Sequence, residues 1–184
     1  MNKAFKISVM CLVALATTGF FASCEKDNTT SSSSSGSGDN GTYVDLGLTS
    51  GTKWKTTNET NPNDSDNFFT YDEAVAKFGN NLPSKAQQVE LVTECQWTWD
   101  ADNKGYNVKG PNDNSIFLPA SGLRNPSSGN VLLVGEAGFF WSYMPSDEHQ
   151  AWTLYYNTNT TSPSDPTVYY GDMNTGCSVR LVQK

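Results

Sequence analysis

Positive charge is scarce in this sequence: 12 Lys and Arg stand against 19 Asp and Glu, for a formal charge of −7 over 184 residues. Nucleic-acid binding needs a basic patch and none is visible, which excludes that class of partner. Histidine is scarcer still. The single one, His149, sits in Asp147-Glu148-His149-Gln150 with no Gly-x-Ser-x-Gly elbow or other nucleophile motif to partner it, so no hydrolytic constellation assembles. Asp147 and Glu148 are adjacent and point apart on an extended segment, so a glycosidase pair would need a distant partner. No calcium loop closes either. In Asp100-Ala-Asp102-Asn-Lys104-Gly105 a lysine falls where a third ligand belongs, and Pro111 occupies the closing position that needs a glutamate. No metal, no cofactor and no catalytic residues are therefore expected. Apolar runs stop short of the roughly 20 residues that span a bilayer. There is no internal repeat and no βαβ alternation, which removes solenoids and Rossmann-type sheets.

What is present is polar and aromatic: 36% hydrophobic, 12% aromatic and 17% charged residues, with a mean hydropathy of −0.51. That composition supports one core of aromatics and β-branched residues rather than wholesale disorder. Lys3 and Lys6 precede the apolar run Ile7 to Phe21, which ends at Ala22-Ser23-Cys24, the three-part layout of a secretory signal. A cysteine directly after small residues resembles the bacterial lipobox, with Phe21 where leucine is usual. The resemblance implies that residues 1–23 are a lipoprotein signal peptide and that Cys24 carries the lipid. Residues 24–41 then read as a Ser/Gly-rich tether with an r.m.s. reach on the order of 20 to 25 Å. Glu25-Lys26-Asp27-Asn28 behind the cysteine is similar to the surface-export signals of Bacteroidota lipoproteins. The expected location is the outer membrane, exposed at the cell surface, with membrane contact through the lipid alone.

Residues 42–184 form the expected domain. Tyr43 to Leu48 and Thr52 to Thr56 alternate about the turn Thr49-Ser50-Gly51, as a hairpin does. Thr70-Tyr-Asp-Glu73 is a capping box with Gly79 at the stop, which predicts a helix of about nine residues. Ser84-Lys-Ala-Gln87 repeats the signal, and Ala86, Val89, Val92 and Cys95 recur at helical spacing. The segment Trp97-Thr-Trp99 is β-prone. Gly105 to Lys109 and Ser115 to Leu118 flank a turn. Val131 to Val134, Phe139 to Met144, Gln150 to Asn157, Thr167 to Tyr170 and Cys177 to Val182 complete the strands. The order is α+β, with a mostly antiparallel framework.

Five blocks carry a family resemblance: Tyr43 to Trp54, Leu82-Pro-Ser-Lys-Ala-Gln87 with Leu91-Val92 and Cys95, Ile116 to Gly122, Phe140-Trp-Ser142, and Ser178 to Val182. Together they resemble the Fibrobacter succinogenes major paralogous domain, in that family's order and over nearly all of residues 42–184. The resemblance implies a C-type-lectin-like fold, whose first and last strands pair and whose two helices and small β region present a binding surface. The chain differs from the family at Thr57, where cysteine is common, and at Cys177, where an aromatic is usual. The sugar-coordinating triplets of calcium-dependent lectins are absent. Cys95 and Cys177 are a candidate disulfide, since such folds often tie a helix to the last strand. The alternative is two buried thiols acting as small hydrophobes.

The C-terminal third concentrates Tyr143, His149, Tyr155, Asn157, Asn159, Tyr169, Tyr170, Asp172 and Asn174 with almost no Lys or Arg. Tyrosine with Asn and Asp is the adaptable chemistry of paratopes and sugar-stacking sites, although strand and turn propensities also enrich these types. These nine are the candidate ligand-binding residues. Alternation in Gln150 to Asn157 puts Trp152, Leu154 and Tyr156 toward the core and Ala151, Thr153 and Tyr155 outward. The expected function is calcium-independent binding of an extracellular glycan or protein. A structural or adhesive subunit of a surface complex or fimbria tip is the alternative, with a diversified binding protein as a variant of it. An enzyme centred on His149 ranks last.

Overall fold

The computed structural model describes residues 42–145, 148–158 and 166–184. It is mixed α+β, with two short helices and several small antiparallel sheets. Cys24 and Asn159 lie outside the described residues.

The chain opens with β1 (Tyr43–Asp45) and β2 (Lys53–Lys55), an antiparallel hairpin in which Val44 faces Trp54. Both strands are shorter than their alternation predicts. Leu46 and Leu48 leave the ladder and drop into the core, 0% and 5% exposed, while the Asp45 carboxylate accepts the Gly47 N–H at 2.8 Å. The last strand, β11 (Val182–Gln183), pairs with β2 rather than with β1, Val182 opposite Trp54. The chain ends are therefore joined through the second strand, a correction to the expected pairing of first with last.

Helix α1 (Tyr71–Phe78) starts at the capping box of Thr70 and Glu73 and stops at Gly79, where φ is 50°. Helix α2 (Lys85–Glu94) starts at the capping box of Ser84 and Gln87, with bonds of 2.8 and 3.2 Å. Its inner face is not the expected stripe: Val89 is 40% exposed, and Gln88 and Leu91 are buried instead. Gln88 tolerates burial because its Nε2 donates to the Phe140 and Trp141 carbonyls at 3.0 and 3.2 Å.

A three-stranded meander follows: β3 (Gln96–Asp100), β4 (Gly105–Lys109) and β5 (Ser115–Pro119). The Asp100 side chain caps the β3–β4 turn, accepting the N–H groups of Asp102 and Asn103. The segment from Val131 to Val134 yields only β7 (Val131–Leu132), paired with β6 (Leu123–Arg124), because Leu133 turns to φ 61° and ends it.

The largest sheet has the order β10 (Thr167–Asp172), β9 (Gln150–Asn157), β8 (Ala137–Pro145), all antiparallel. It is covered on both faces. Phe140, Leu154 and Tyr156 point into a core shared with α2 and the meander, and Trp141 and Ala151 point into a second core beneath α1. Complete burial of side chains such as Leu91 or Leu154 stabilises by roughly 1.5–3 kcal/mol each. Among the described residues both cores draw on side chains between Tyr43 and Val182.

The segment from Cys177 to Val182, expected as one strand, is, with Gly176 before it, a thread of single bridges that becomes a strand only at Val182. Gly176 pairs with Arg124, Cys177 with Phe69 and Ser178 with Phe140, after which the Leu181 carbonyl accepts the Lys55 N–H at 3.0 Å. Arg180, 2% exposed, donates to Asn58 Oδ1 (2.8 Å) and to the carbonyls of Lys55 (2.9 Å) and Phe117 (3.0 Å). Burial pushes its pKa down to about 10. Beside it the buried Lys55 ammonium meets the Glu59 carboxylate at 2.6 Å.

Candidate functional site

Register across the large sheet sets Trp141, Thr153 and Tyr169 in one row on the face that carries the second core. Where that face runs past the core toward the β10 edge it forms a cleft of about 280 Å³, lined by Leu123, Phe139, Thr153, Tyr169, Gly171 and Asp172 among others. Its floor is low at Gly171: a Cβ there would find only Thr153 Oγ1, at 3.8 Å. The cleft walls are mostly apolar, with a hydroxyl, a phenol and a carboxylate at the rim, the mixture that suits a small organic ligand.

Tyr169 and Tyr170 stand on the edge strand beside this cleft. Their rings stack at 5.1 Å and 13°, and both remain exposed, at 52% and 43%. Trp152, opposite Tyr170 in the register, meets it edge-on at 5.8 Å and 88°. Lys85 Nζ lies 3.2 Å from the centroid of the Trp152 ring. An ordered pair of phenols facing solvent is uncommon on a surface unless something uses it, because large aromatics left open forgo their burial energy.

The other expected residues divide. Tyr155 is half-buried, tilted on Phe139 at 5.1 Å, and its hydroxyl accepts from Asn157 Nδ2 at 2.6 Å. The Asn157 carbonyl accepts the Tyr106 hydroxyl at 3.1 Å, so this pair braces the end of β9. Asp172 Oδ1 accepts the Asn174 N–H and Nδ2 at 2.8 and 3.0 Å, a turn that leaves Asn174 exposed outside the cleft lining. Tyr143 is exposed where β8 ends and donates its N–H to the Pro83 carbonyl at 2.8 Å. His149 is exposed, and its carbonyl accepts the Met173 N–H at 3.0 Å. Of the nine, Tyr169 and Asp172 line the cleft, while Tyr170, which register sets beside Trp152 on the other face, Tyr143 and His149 lie outside the lining.

Two face assignments are corrected. Ala151 and Thr153 are buried, at 0% and 2%, and Trp152 is only half-buried. Alternation along a strand separates two faces, and here both faces are covered, so an apolar–polar reading cannot name one as outside. Leu154 and Tyr156 are core residues, as expected.

Cys95 and Cys177 are free thiols. They belong to different clusters, Cys95 packing against the first core and Cys177 inside the second. Burial, with Glu94 and Glu90 adding to it, pushes the Cys95 thiol up to about 11, and burial pushes Cys177 higher still. Neither is an activated nucleophile. Among the described residues no group of three or more His, Cys, Asp and Glu could hold a metal ion. Asp100 spends its carboxylate on Asp102, Asn103 and Asn107, whose hydrogen bonds, that of the Asn103 side chain first, hold its pKa below the usual range. Two larger clefts, one of about 340 Å³ between Asn61-Pro62-Asn63 and α1 and one of about 580 Å³ beside the joined chain ends, contain none of the expected residues.

No protein family, curated protein or solved structure matches this chain. Sequence reasoning missed Phe139, Thr153, Gly171 and Lys85. The first three could have been found only from strand register. Lys85 carried one signal, a cation in the first turn of a helix, where the dipole disfavours it.

Proposed function

We propose that this chain is a surface-anchored lipoprotein whose C-type-lectin-like domain binds an extracellular glycan or protein ligand, without calcium, along the β10 edge of its large sheet. The observation that carries this reading is the stacked, exposed Tyr169–Tyr170 pair beside the cleft. Stacked phenols bind pyranose faces and apolar side chains alike, at low entropic cost. The two short helices and the several antiparallel sheets are compatible with the lectin-like part, although β11 pairs with β2 and not with β1. The signal-like leader and Cys24 support the anchor.

The test is a glycan array and a ligand pull-down with residues 42–184. Tyr169→Ala and Tyr170→Ala should each weaken binding by roughly 1 to 3 kcal/mol while leaving the melting temperature nearly unchanged. Tyrosine variants that bind as the parent does would place recognition elsewhere. For the anchor, Cys24→Ala should abolish palmitate incorporation, and labelling of the mutant at the parent level would refute it. Protease added to intact cells should degrade the domain if it faces outward.

A second reading, an adhesive or structural subunit, has its own observation. Leu132, Leu133 and Val134 are consecutive and exposed at 44%, 43% and 64%, an aliphatic tip suited to a protein neighbour. Concentration-dependent assembly lost in Val134→Asp would favour it.

A further inference from the structure

We propose that the ligand of this edge is an anionic glycan, a run of pyranose rings bearing carboxylates, with Lys85 as the group that selects the charge. The inference rests on the glycan form of the function proposed above and narrows it. Helix α2 carries its charges against its own dipole: its first turn contains no acid and begins with Lys85, and its acids, Glu90 and Glu94, come later. Helix α1 does the reverse, with Asp72 and Glu73 in the first turn and Lys77 in the last. The glutamates have a structural purpose, since Glu90 accepts from the Ser50 N–H and hydroxyl and Glu94 from the Thr49 N–H. Lys85 has no such purpose: among the described residues it forms no salt bridge, and its ammonium rests on the Trp152 ring at 3.2 Å.

That contact completes a row. The cation lies on Trp152, Trp152 meets Tyr170 edge-on, and Tyr170 stacks on Tyr169. The acid of β10, Asp172, spends one oxygen on Asn174. Tyr170 and Trp152 are register partners on the sheet face toward α2, so a sugar ring seated on Tyr170 brings a ring carboxylate toward a cation that has no anionic partner among the described residues and that the adjacent positive end of α2 reinforces. In a chain of net charge −7 such attraction is local, so it discriminates between ligands rather than gathering anions at long range.

The experiment titrates residues 42–184, which hold both cores, with a panel of uronate oligosaccharides and their neutral counterparts of the same linkage, by calorimetry. At least one uronate should bind about ten- to a hundredfold tighter than its neutral partner, with the preference lost in Lys85→Gln and kept in Lys85→Arg. Lys85→Gln should change the melting temperature little, because the lost contact with the Trp152 ring is offset by removal of a cation from the positive end of a helix. Equal binding of uronate and neutral sugars, or a preference that survives Lys85→Gln, overturns the inference and leaves glycan binding standing. Binding of neither class, with tyrosine-dependent capture of a protein, overturns it in favour of a protein ligand. Loss of all tyrosine-dependent binding overturns both readings.

Discussion

The contact between Gly138 and Tyr156 offers the sharpest test of the large sheet. The two residues face each other in the β8–β9 register. A Cβ at Gly138 would lie 2.5 Å from Tyr156 Cε2 and overlap its Cζ and hydroxyl. The ring has nowhere to go. Tyr156 is 0% exposed, held edge-on by Tyr106 at 5.3 Å and stacked with Phe140 at 6.0 Å, and its hydroxyl donates to the Pro119 carbonyl at 2.9 Å. Gly138→Ala must therefore shift a strand, at a typical overpacking cost of about 1–3 kcal/mol. Loss of the Pro119 hydrogen bond adds about 1 kcal/mol, and the stiffer unfolded chain returns roughly 0.4–1 kcal/mol. The expected net loss is about 1–3.5 kcal/mol, against a total stability on the order of 5–15 kcal/mol. Urea titration of residues 42–184, followed by tryptophan fluorescence, reads it as a lower midpoint with an unchanged slope. Tyr156→Leu removes the atoms that clash and should itself cost roughly 2–4 kcal/mol through the cavity it leaves. In that background Gly138→Ala should cost nearly nothing, a coupling of about 2 kcal/mol. Equal costs in the two backgrounds would show that the ring is not what reserves this position for glycine.

Three further outcomes follow from groups described above. Cys177, Cys95 and Tyr156 are all raised by burial, so they are neutral in both states below about pH 9; above it the unfolded thiols ionise first, and stability should fall between pH 9 and 10 by on the order of 1 kcal/mol per unit for a fully buried thiol, with a shallower slope in Cys177→Ala. Arg180, depressed to about 10, acts in the opposite sense but only above that pH, so a stability that rises from pH 9 to 10 would contradict this reading. Glu59→Gln removes the carboxylate from Lys55, itself 2% exposed, and should cost roughly 3–5 kcal/mol in chemical denaturation, whereas a loss under 1 kcal/mol would mean that the pair is solvated. Leu133→Gly relieves a left-handed leucine that is 43% exposed and should raise stability by up to ~1 kcal/mol, while a loss of that size would show that the side chain contributes more than its backbone strain costs.

The helices were legible because their signals are local. Thr70 with Glu73 and Ser84 with Gln87 sit three residues apart, and the capping boxes form as written. The inner face of α2 was not legible, since Gln88 is buried by carbonyls at Phe140 and Trp141, more than fifty residues away. Strand alternation in Gln150 to Asn157 correctly separated two sets of side chains and misassigned one of them, because a second core covers the set expected to face solvent. The final segment failed as a strand for a related reason: each of its residues serves a different neighbour, a pattern with no period to detect. At the site, composition pointed to Tyr169 and Tyr170. Nothing local could pair Lys85 with Trp152 or set Gly171 beside Thr153, because the first depends on how the sheet lies against α2 and the second on the β9–β10 register.

The thread from Gly176 to Val182 also sets an order for the protein's folding. Cys177 and Val179 belong to the second core, Val182 to the first, and the bridges to Phe69, Arg124 and Phe140 all wait on this stretch. Neither core is complete until this stretch is in place. The same long-range pairings make folding slow. Slow closure thus follows from one topological choice, the placing of contacts for both cores in a single stretch far in sequence from its partners.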